Sequence, residues 1–255
     1  MSKQVMITGC PRTGTTALST LLSHCEGVFI SNELAIYENP PRILEHHLSM
    51  LDSSPNWNQN LRNILKIKGW SNADLRRFLS NGFNDDIKLT GDKFPAYCII
   101  DELMSDIADS SPCSHYIFTH RNPCAVVASF LRRSRIENHP KAFWYATTAE
   151  EALEKVISYT LNWSTILWEA LEKKIIITHE DYCDNAGKLL DKLSDFLDLE
   201  LKMGTHKPED IYRSTNNAGL CSKSYYKDEL STKEIDMINA KFSPIQEHVM
   251  RLYHG

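Results

Sequence analysis

Gln4-Val-Met-Ile-Thr8-Gly9-Cys-Pro-Arg-Thr-Gly14-Thr15-Thr16, running on into Ala17-Leu-Ser-Thr-Leu-Leu-Ser23, decides how the rest of the chain is read. Gln4 to Thr8 is a short apolar run of strand character, and from Thr15 to about His24 the apolar spacing changes to that of an amphipathic helix. Between them Gly9 and Gly14 permit a tight turn with the spacing of a phosphate-binding loop, G-x-x-x-x-G-K-[ST], except that Thr15 stands where the lysine belongs. The physics of such a loop survives the exchange: backbone N–H groups converge on an anion and the helix N-terminus adds its dipole. Arg12, inside the loop, can supply the missing cation. Without the lysine, magnesium-assisted transfer of a γ-phosphate is disfavoured. The competing reading is a strand–helix turn whose Gly and Thr are incidental.

Outward from this loop, short β-rich runs alternate with helical stretches. Gly27 to Ser31, Ile87 to Gly91, His115 to His120 and Ile175 to Thr178 are the further strand candidates. A helix is expected after Pro123, a long one from about Thr148 to Lys173, and another over Asp184 to Leu197 with Glu180 and Asp181 capping it. Strands alternating with helices imply a parallel sheet covered on both faces, with ligands beyond the carboxyl ends of its strands. The expected fold is therefore α/β, a three-layer arrangement of the P-loop NTPase type around a central, mostly parallel sheet. No repeat or linker divides the chain, so residues 1–255 are read as one domain, with a polar, helix-rich insertion at about 41–81 carrying Trp57 and Trp70.

Composition narrows the partners. The chain has 255 residues, 42% hydrophobic and 24% charged, the balance of a soluble globular protein. Its 28 Lys and Arg against 33 Asp and Glu leave a net charge of −5, which favours neither nucleic acid nor an anionic membrane. Any anion must be held by a few placed residues. No apolar run approaches the ~20 residues of a membrane helix, and the first strand leaves no room for a signal peptide. Seven cysteines without a C-x-x-C pair argue against a disulfide framework or zinc cluster and fit a reducing, cytoplasmic setting. His46-His47 has no Cys or carboxylate at metal spacing, so no metal is expected.

Pro11-Arg12-Thr13-Gly14-Thr15-Thr16 resembles the 5′-phosphosulfate loop of sulfotransferases that use 3′-phosphoadenosine 5′-phosphosulfate (PAPS), written P-K-S-G-T-T. It departs by Arg12 for Lys and Thr13 for Ser; a guanidinium is a fork rather than a point charge, which alters the geometry at the bridging oxygen. His120-Arg121-Asn122-Pro123-Cys-Ala-Val-Val-Ala-Ser129 resembles the family's 3′-phosphate motif, R-N-P followed by five residues and Ser. Asn122 can cap the helix and Pro123 suits its first turn. The Ser129 hydroxyl, about two turns in, could join Arg121 around one phosphate. An Arg at a strand end can also simply pair with a carboxylate. Together, however, the motifs separate a PAPS site from a general nucleotide site, because ATP has no 3′-phosphate for Arg121. A third segment, Ile175-Ile-Ile-Thr-His179-Glu-Asp-Tyr182, resembles the family's Y-E-D-L corner, with His179 where an aromatic residue approaches adenine; His179 could equally just end a strand. The R-K-G loop of cytosolic aryl and steroid sulfotransferases is missing. Gly219-Leu-Cys-Ser-Lys223-Ser-Tyr225 could replace it, with Lys223 as phosphate ligand or as a solvated surface lysine.

Moving a sulfuryl group to an acceptor requires a base for the acceptor proton and cations for the charge left on phosphate. In the cytosolic branch the resemblance implies a histidine base in K-T-H-L-P; here Thr90-Gly-Asp-Lys93-Phe-Pro95 puts Lys93 in its place. Asp92-Lys-Phe-Pro-Ala-Tyr97 instead resembles the E-K-S-P-A-Y segment of heparan sulfate sulfotransferases and bacterial relatives. In those, as in tyrosylprotein sulfotransferases, a glutamate after the second strand is the base. Glu33, in Ser31-Asn-Glu33-Leu, is the corresponding candidate, against an exposed loop glutamate. Lys93 would orient the acceptor or hold the transferring oxygens, against a surface lysine beside Asp92. His120 could touch substrate or be a structural strand-end residue, and the aromatic residues from Phe143 to Trp168 read mostly as packing.

The resemblance thus implies sulfuryl transfer from PAPS to a small-molecule hydroxyl, with 3′,5′-ADP as product. A P-loop small-molecule kinase and a nucleotide-binding module without chemistry are the alternatives. The missing lysine counts against the first, as does the lack of a strand ending in a magnesium-binding Asp. The second requires Glu33 and Lys93 to be irrelevant.

Overall fold

A computed structural model describes residues 3–33, 37, 87–204 and 225–255. Five strands form its sheet: β1 (Lys3–Gly9), β2 (Val28–Asn32), β3 (Leu89–Lys93), β4 (His115–His120) and β5 (Lys174–Thr178). Their order is β2-β3-β1-β4-β5, and every pairing is parallel. Chain order reverses around β1, since β2 and β3 lie to one side and β4 and β5 to the other. The crevice at the carboxyl end of β1 is therefore where an open parallel sheet binds ligands. The insertion expected at 41–81, with His46-His47, Trp57 and Trp70, lies outside the described residues.

Alternation along the strands divides the core into two layers. Val5, Ile7, Ile117 and Ile177 point to one face, where α1 (Thr15–Ser23) and α5 (His179–Leu197) bring Leu18, Leu22, Leu189 and Leu193 against them. Met6, Tyr116, Phe118 and Ile176 point to the other, where α2 (Asp101–Ser110) contributes Leu103 and Ile107. Burying each such side chain is worth roughly 1.5–3 kcal/mol, so apolar strands of this kind are stable only with both faces covered. A third apolar cluster joins α3 (Pro123–Glu137), α4 (Ala149–Leu161) and α6 (Thr232–His254) through Phe130, Leu153 and Phe242. No described helix is long and apolar enough to cross a membrane.

Two helices depart from the expected outlines. The long helix starts where expected, at the Thr148 cap, but after α4 it widens into a π-helical turn at Asn162–Leu167 and ends at Ala170. The wide turn delivers fully buried Trp163 onto Phe118, with centroids 5.2 Å apart. The helix after β5 begins at His179 rather than Asp184: Thr178 and Asp181 form a capping box. Asn185 then breaks the helix with extended backbone, and its Oδ1 accepts from the Lys188 N–H at 2.9 Å to restart it.

Candidate active site

The β1–α1 loop is held by its own backbone. Cys10 O accepts from the Thr13 N–H at 3.2 Å and from the Thr13 hydroxyl at 2.6 Å, closing a tight turn. The turn requires positive φ at two residues, Arg12 (φ 72°) and Gly14 (φ 104°). Gly14 tolerates this, whereas Arg12 is strained by on the order of 1 kcal/mol, the kind of cost that persists at functional sites. Gly9 is needed for close approach, since a Cβ there would lie 2.5 Å from the Thr119 Oγ1 of β4. Gly14 is the N-cap of α1 and offers no side chain to its first N–H groups. α2 likewise lacks a side-chain cap, whereas α3, α4, α5 and α6 are capped by Asn122, Thr148, Thr178 and Ser231. An anion over Gly14 to Thr16 would take the place of that cap. Pro11, Thr13 and Thr15 are buried within the loop, and Thr16 is exposed at the start of α1.

The second motif folds onto the first. Asn122 Oδ1 accepts from the Cys124 and Ala125 N–H groups at 2.9 and 3.3 Å, and Pro123 opens the first turn, as the sequence predicts. That cap aims Arg121 and Ser129 at the loop. Arg12 Nε donates to Ser129 Oγ at 3.0 Å, and Arg121 Nη1 donates to Arg12 O at 3.3 Å. Burial pushes the Arg12 guanidinium below its ordinary value, and Arg133 and Arg121 push the same way. A guanidinium remains protonated nonetheless. Arg133 is ion-paired with Glu137 at 2.6 Å, and Glu137 partly offsets the repulsion felt by Arg12, so the loop carries a concentrated, partly desolvated cluster of positive charge. Arg133, stacked on Trp144 at 4.6 Å, is a member that sequence reading missed.

His179 also reaches the loop: a Cβ on Gly14 would lie 3.3 Å from its Nδ1. Burial, then Arg121, lowers the His179 pKa to about 3, so its ring is neutral near neutral pH. Lys223 lies outside the described residues. Its neighbour Tyr225 does enter the site, with Arg121 Cζ 5.3 Å from its ring centroid. Nothing local in the sequence signals that contact.

On the far side of β1, Glu33 and Lys93 meet. Lys93 Nζ donates to Glu33 Oε1 at 2.6 Å, and the Glu33 N–H donates to Lys93 O at 2.7 Å. This double hold keeps Glu33 at φ 61°, a second strained residue. The Lys93 side chain is 1% exposed and that of Glu33 30%, which sets aside the surface-lysine and exposed-loop readings. Burial lowers the Lys93 pKa first, with Glu33 and then Asp92 opposing and Arg12 reinforcing the shift, so the ammonium lies within electrostatic range of the cradle. Asp92 is on the opposite strand face, fully buried, accepting from Tyr97 Oη at 2.7 Å and Ser31 Oγ at 2.5 Å. These two bonds brace the ends of β2 and β3.

His120 is the structural residue that its strand-end position suggests. It is buried, stacked on Phe242, with Nε2 bonded to Gln246 Oε1 at 2.9 Å. Its ring edges a cavity of about 540 Å³ that also involves Asn122, Glu180, Phe242 and Tyr253. Burial, against a small opposing effect of Gln246, lowers the His120 pKa to about 4. Unfolded, the ring takes a proton near its ordinary value of about 6.5, so between pH 6.5 and 4 the unfolded chain binds more protons. Stability is then complete above pH 6.5 and falls as the pH drops. Denaturant unfolding at pH 7 and 4.5 should show His120→Gln losing about 2 kcal/mol less than the parent over that interval. An equal loss in both would mean that His120 is not buried in its neutral form.

A model of the Sulfotransferase family matches residues 4–203. Among solved structures, the sulfotransferase domain from the curacin biosynthetic pathway shares 16% identity and a TM-score of 0.61, covering 95% of this chain and 97% of its own. The sulfotransferase domain of the Synechococcus PCC 7002 olefin synthase shares 17% identity and a TM-score of 0.63, over 95% and 94%. The sulfotransferase from Alicyclobacillus acidocaldarius shares 17% identity and a TM-score of 0.51, over 100% and 96%. No curated protein sequence matches this chain. At such identities the solved structures carry the fold, an α/β sandwich about a parallel sheet, and the matched stretch holds both phosphate motifs, Glu33 and Lys93. The chain belongs to the Sulfotransferase family.

Proposed function

We propose that this chain moves a sulfuryl group from PAPS to the hydroxyl of a small molecule and releases 3′,5′-ADP. One observation carries the reading: the Arg12–Ser129 hydrogen bond of 3.0 Å fastens the β1–α1 loop to the R-N-P-x5-S segment. The two segments that the reading assigns to anions thereby lie side by side. PAPS supplies an activated sulfuryl group at its 5′ end and, at the ribose, a 3′-phosphate that ATP lacks. The first anion would sit over the N–H groups from Gly14 to Thr16 with Arg12 beside it. The second would sit against Arg121 and Ser129, with His179 toward the base.

Glu33 takes the acceptor's proton as the acceptor oxygen bonds to sulfur. The sulfur–oxygen bond to the 5′-phosphate breaks, and its electron pair stays on phosphate. Arg12, Lys93 and the α1 N-terminus face that growing charge; preorganised donors of this kind contribute several kcal/mol to a transition state. Lys93 also fixes the Glu33 carboxylate, since both ends of that residue are tied to it. These cations cover the charge without a metal in the scheme. A cytoplasmic setting fits the seven cysteines without a C-x-x-C pair, and a small-molecule acceptor fits a chain of net charge −5 with no basic run for a polyanion.

Arg121→Ala should weaken 3′,5′-ADP roughly thirtyfold, a loss of about 2 kcal/mol for a charge-assisted contact, and leave 5′-AMP nearly unchanged. Equal weakening of the two by calorimetry would remove the 3′-phosphate from the reading. Transfer itself is tested by incubating the protein with sulfur-labelled PAPS and a panel of alcohols and phenols. Label should move to at least one acceptor, and release of inorganic sulfate alone would oppose the proposal.

A further inference from the structure

We infer that Tyr225 sets the protein's preference for a 3′-phosphorylated nucleotide by holding Arg121 in the plane that phosphate needs. The inference rests on the PAPS reading above and concerns a residue outside both phosphate motifs. Tyr225 opens a short 3-10 turn, Tyr225–Asp228, immediately before α6, and is 8% exposed. Its ring lies under Arg121, with Cζ 5.3 Å from the centroid, and its hydroxyl donates to Ala125 O in the first turn of α3. The Ser129 hydroxyl and the guanidinium groups of Arg121 and Arg12 all act on the same phenol. One side chain from the C-terminal segment thus meets the Arg121 guanidinium and the first turn of α3, with Ser129 and Arg12 within electrostatic reach.

The physical consequence follows from guanidinium geometry. Its N–H donors lie in the plane of the group, so a ring against one face leaves the edge as the direction of hydrogen bonding. Fixing that plane lowers the entropy lost when a phosphate is gripped by the fork. The hydroxyl's bond to Ala125 O keeps the ring itself from sliding along α3. On the loop side Arg121 Nη1 donates to Arg12 O at 3.3 Å, so the ring and that carbonyl hold the guanidinium between them. Tyr225 is a positioning residue: it acts through Arg121, and on the 3′-phosphate alone.

The test measures binding of 3′,5′-ADP and 5′-AMP by calorimetry to the full chain. Parent protein, Tyr225→Phe and Tyr225→Met are each made with Arg121 intact and with Arg121→Ala. Tyr225→Met keeps apolar volume without a π-face and should weaken 3′,5′-ADP about five- to tenfold, with 5′-AMP within about twofold of parent. Tyr225→Phe keeps the ring and should lose no more than about threefold. In the Arg121→Ala background, Tyr225→Met should change neither nucleotide. Should Tyr225→Met fail to fold, Tyr225→Leu is read by the same ratio. Equal losses for both nucleotides, or an undiminished loss without Arg121, would overturn the inference and leave Tyr225 a packing residue. A parent protein that binds both nucleotides equally well would instead overturn the PAPS reading beneath it.

Discussion

Glu33→Gln should cut turnover by ~10²–10⁴-fold, the range a positioned general base contributes, while 3′,5′-ADP binds as in the parent. The substitution is nearly isosteric and the amide can still accept from Lys93, whose Nζ lies 2.6 Å from Glu33 Oε1. What disappears is the capacity to take a proton. Because the base acts only when ionised, the acid limb of the parent's pH–rate profile should vanish in the variant. Two other groups have been placed by their surroundings. Asp92 accepts from Tyr97 and Ser31, and His120 is stacked under Phe242 and bonded to Gln246. Among the described residues, Glu33 is the carboxylate that combines partial exposure with a buried cation. A Glu33→Gln enzyme retaining more than about a tenth of parent turnover would move the base elsewhere.

Arg12→Ala should lower turnover by roughly 10²–10³-fold, the usual cost of removing one preorganised donor from developing charge. Its effect on donor affinity should be smaller, because the loop's N–H groups and Arg121 still hold the ground state. The Arg12 side chain does two things at once, donating Nε to Ser129 at 3.0 Å and carrying further guanidinium donors at the loop. Arg12→Lys should therefore fall between parent and Arg12→Ala, since an ammonium keeps the charge and loses the fork. A raised donor KM with unchanged kcat would make Arg12 a ground-state ligand only.

The strands and the local shape of the two motif segments were legible because their signals are local. His115-Tyr-Ile-Phe-Thr-His120 is a run of strand formers whose bounds match β4, and Asn122-Pro123 after it is a cap with its first-turn proline. The pairing of Glu33 with Lys93 was half legible. Each residue was singled out by motif, but their contact depends on β2 lying beside β3, a register that no local pattern encodes. Three features escaped for the same reason. Tyr225 under Arg121 is a meeting of residues about a hundred positions apart, and Arg133 is one more basic residue in an arginine-rich helix end. The π turn at Asn162–Leu167 answers to the packing of Trp163 on Phe118, not to helix propensity. Asn185 is a different lapse: it can cap, but inside a helical pattern nothing ranked it above Asp181 or Asp184.

Titration of the full chain with 3′,5′-ADP and with ATP, each with and without Mg²⁺, tests the donor assignment on which the rest depends. Thr15 in the lysine position and the Arg12–Ser129–Arg121 cluster lead to one expectation. Binding of 3′,5′-ADP should be indifferent to Mg²⁺ and at least about tenfold tighter than binding of ATP under either condition. Tight ATP binding that requires Mg²⁺, with 3′,5′-ADP no better than 5′-AMP, would contradict it and make the chain a phosphoryl-transfer protein on a sulfotransferase fold.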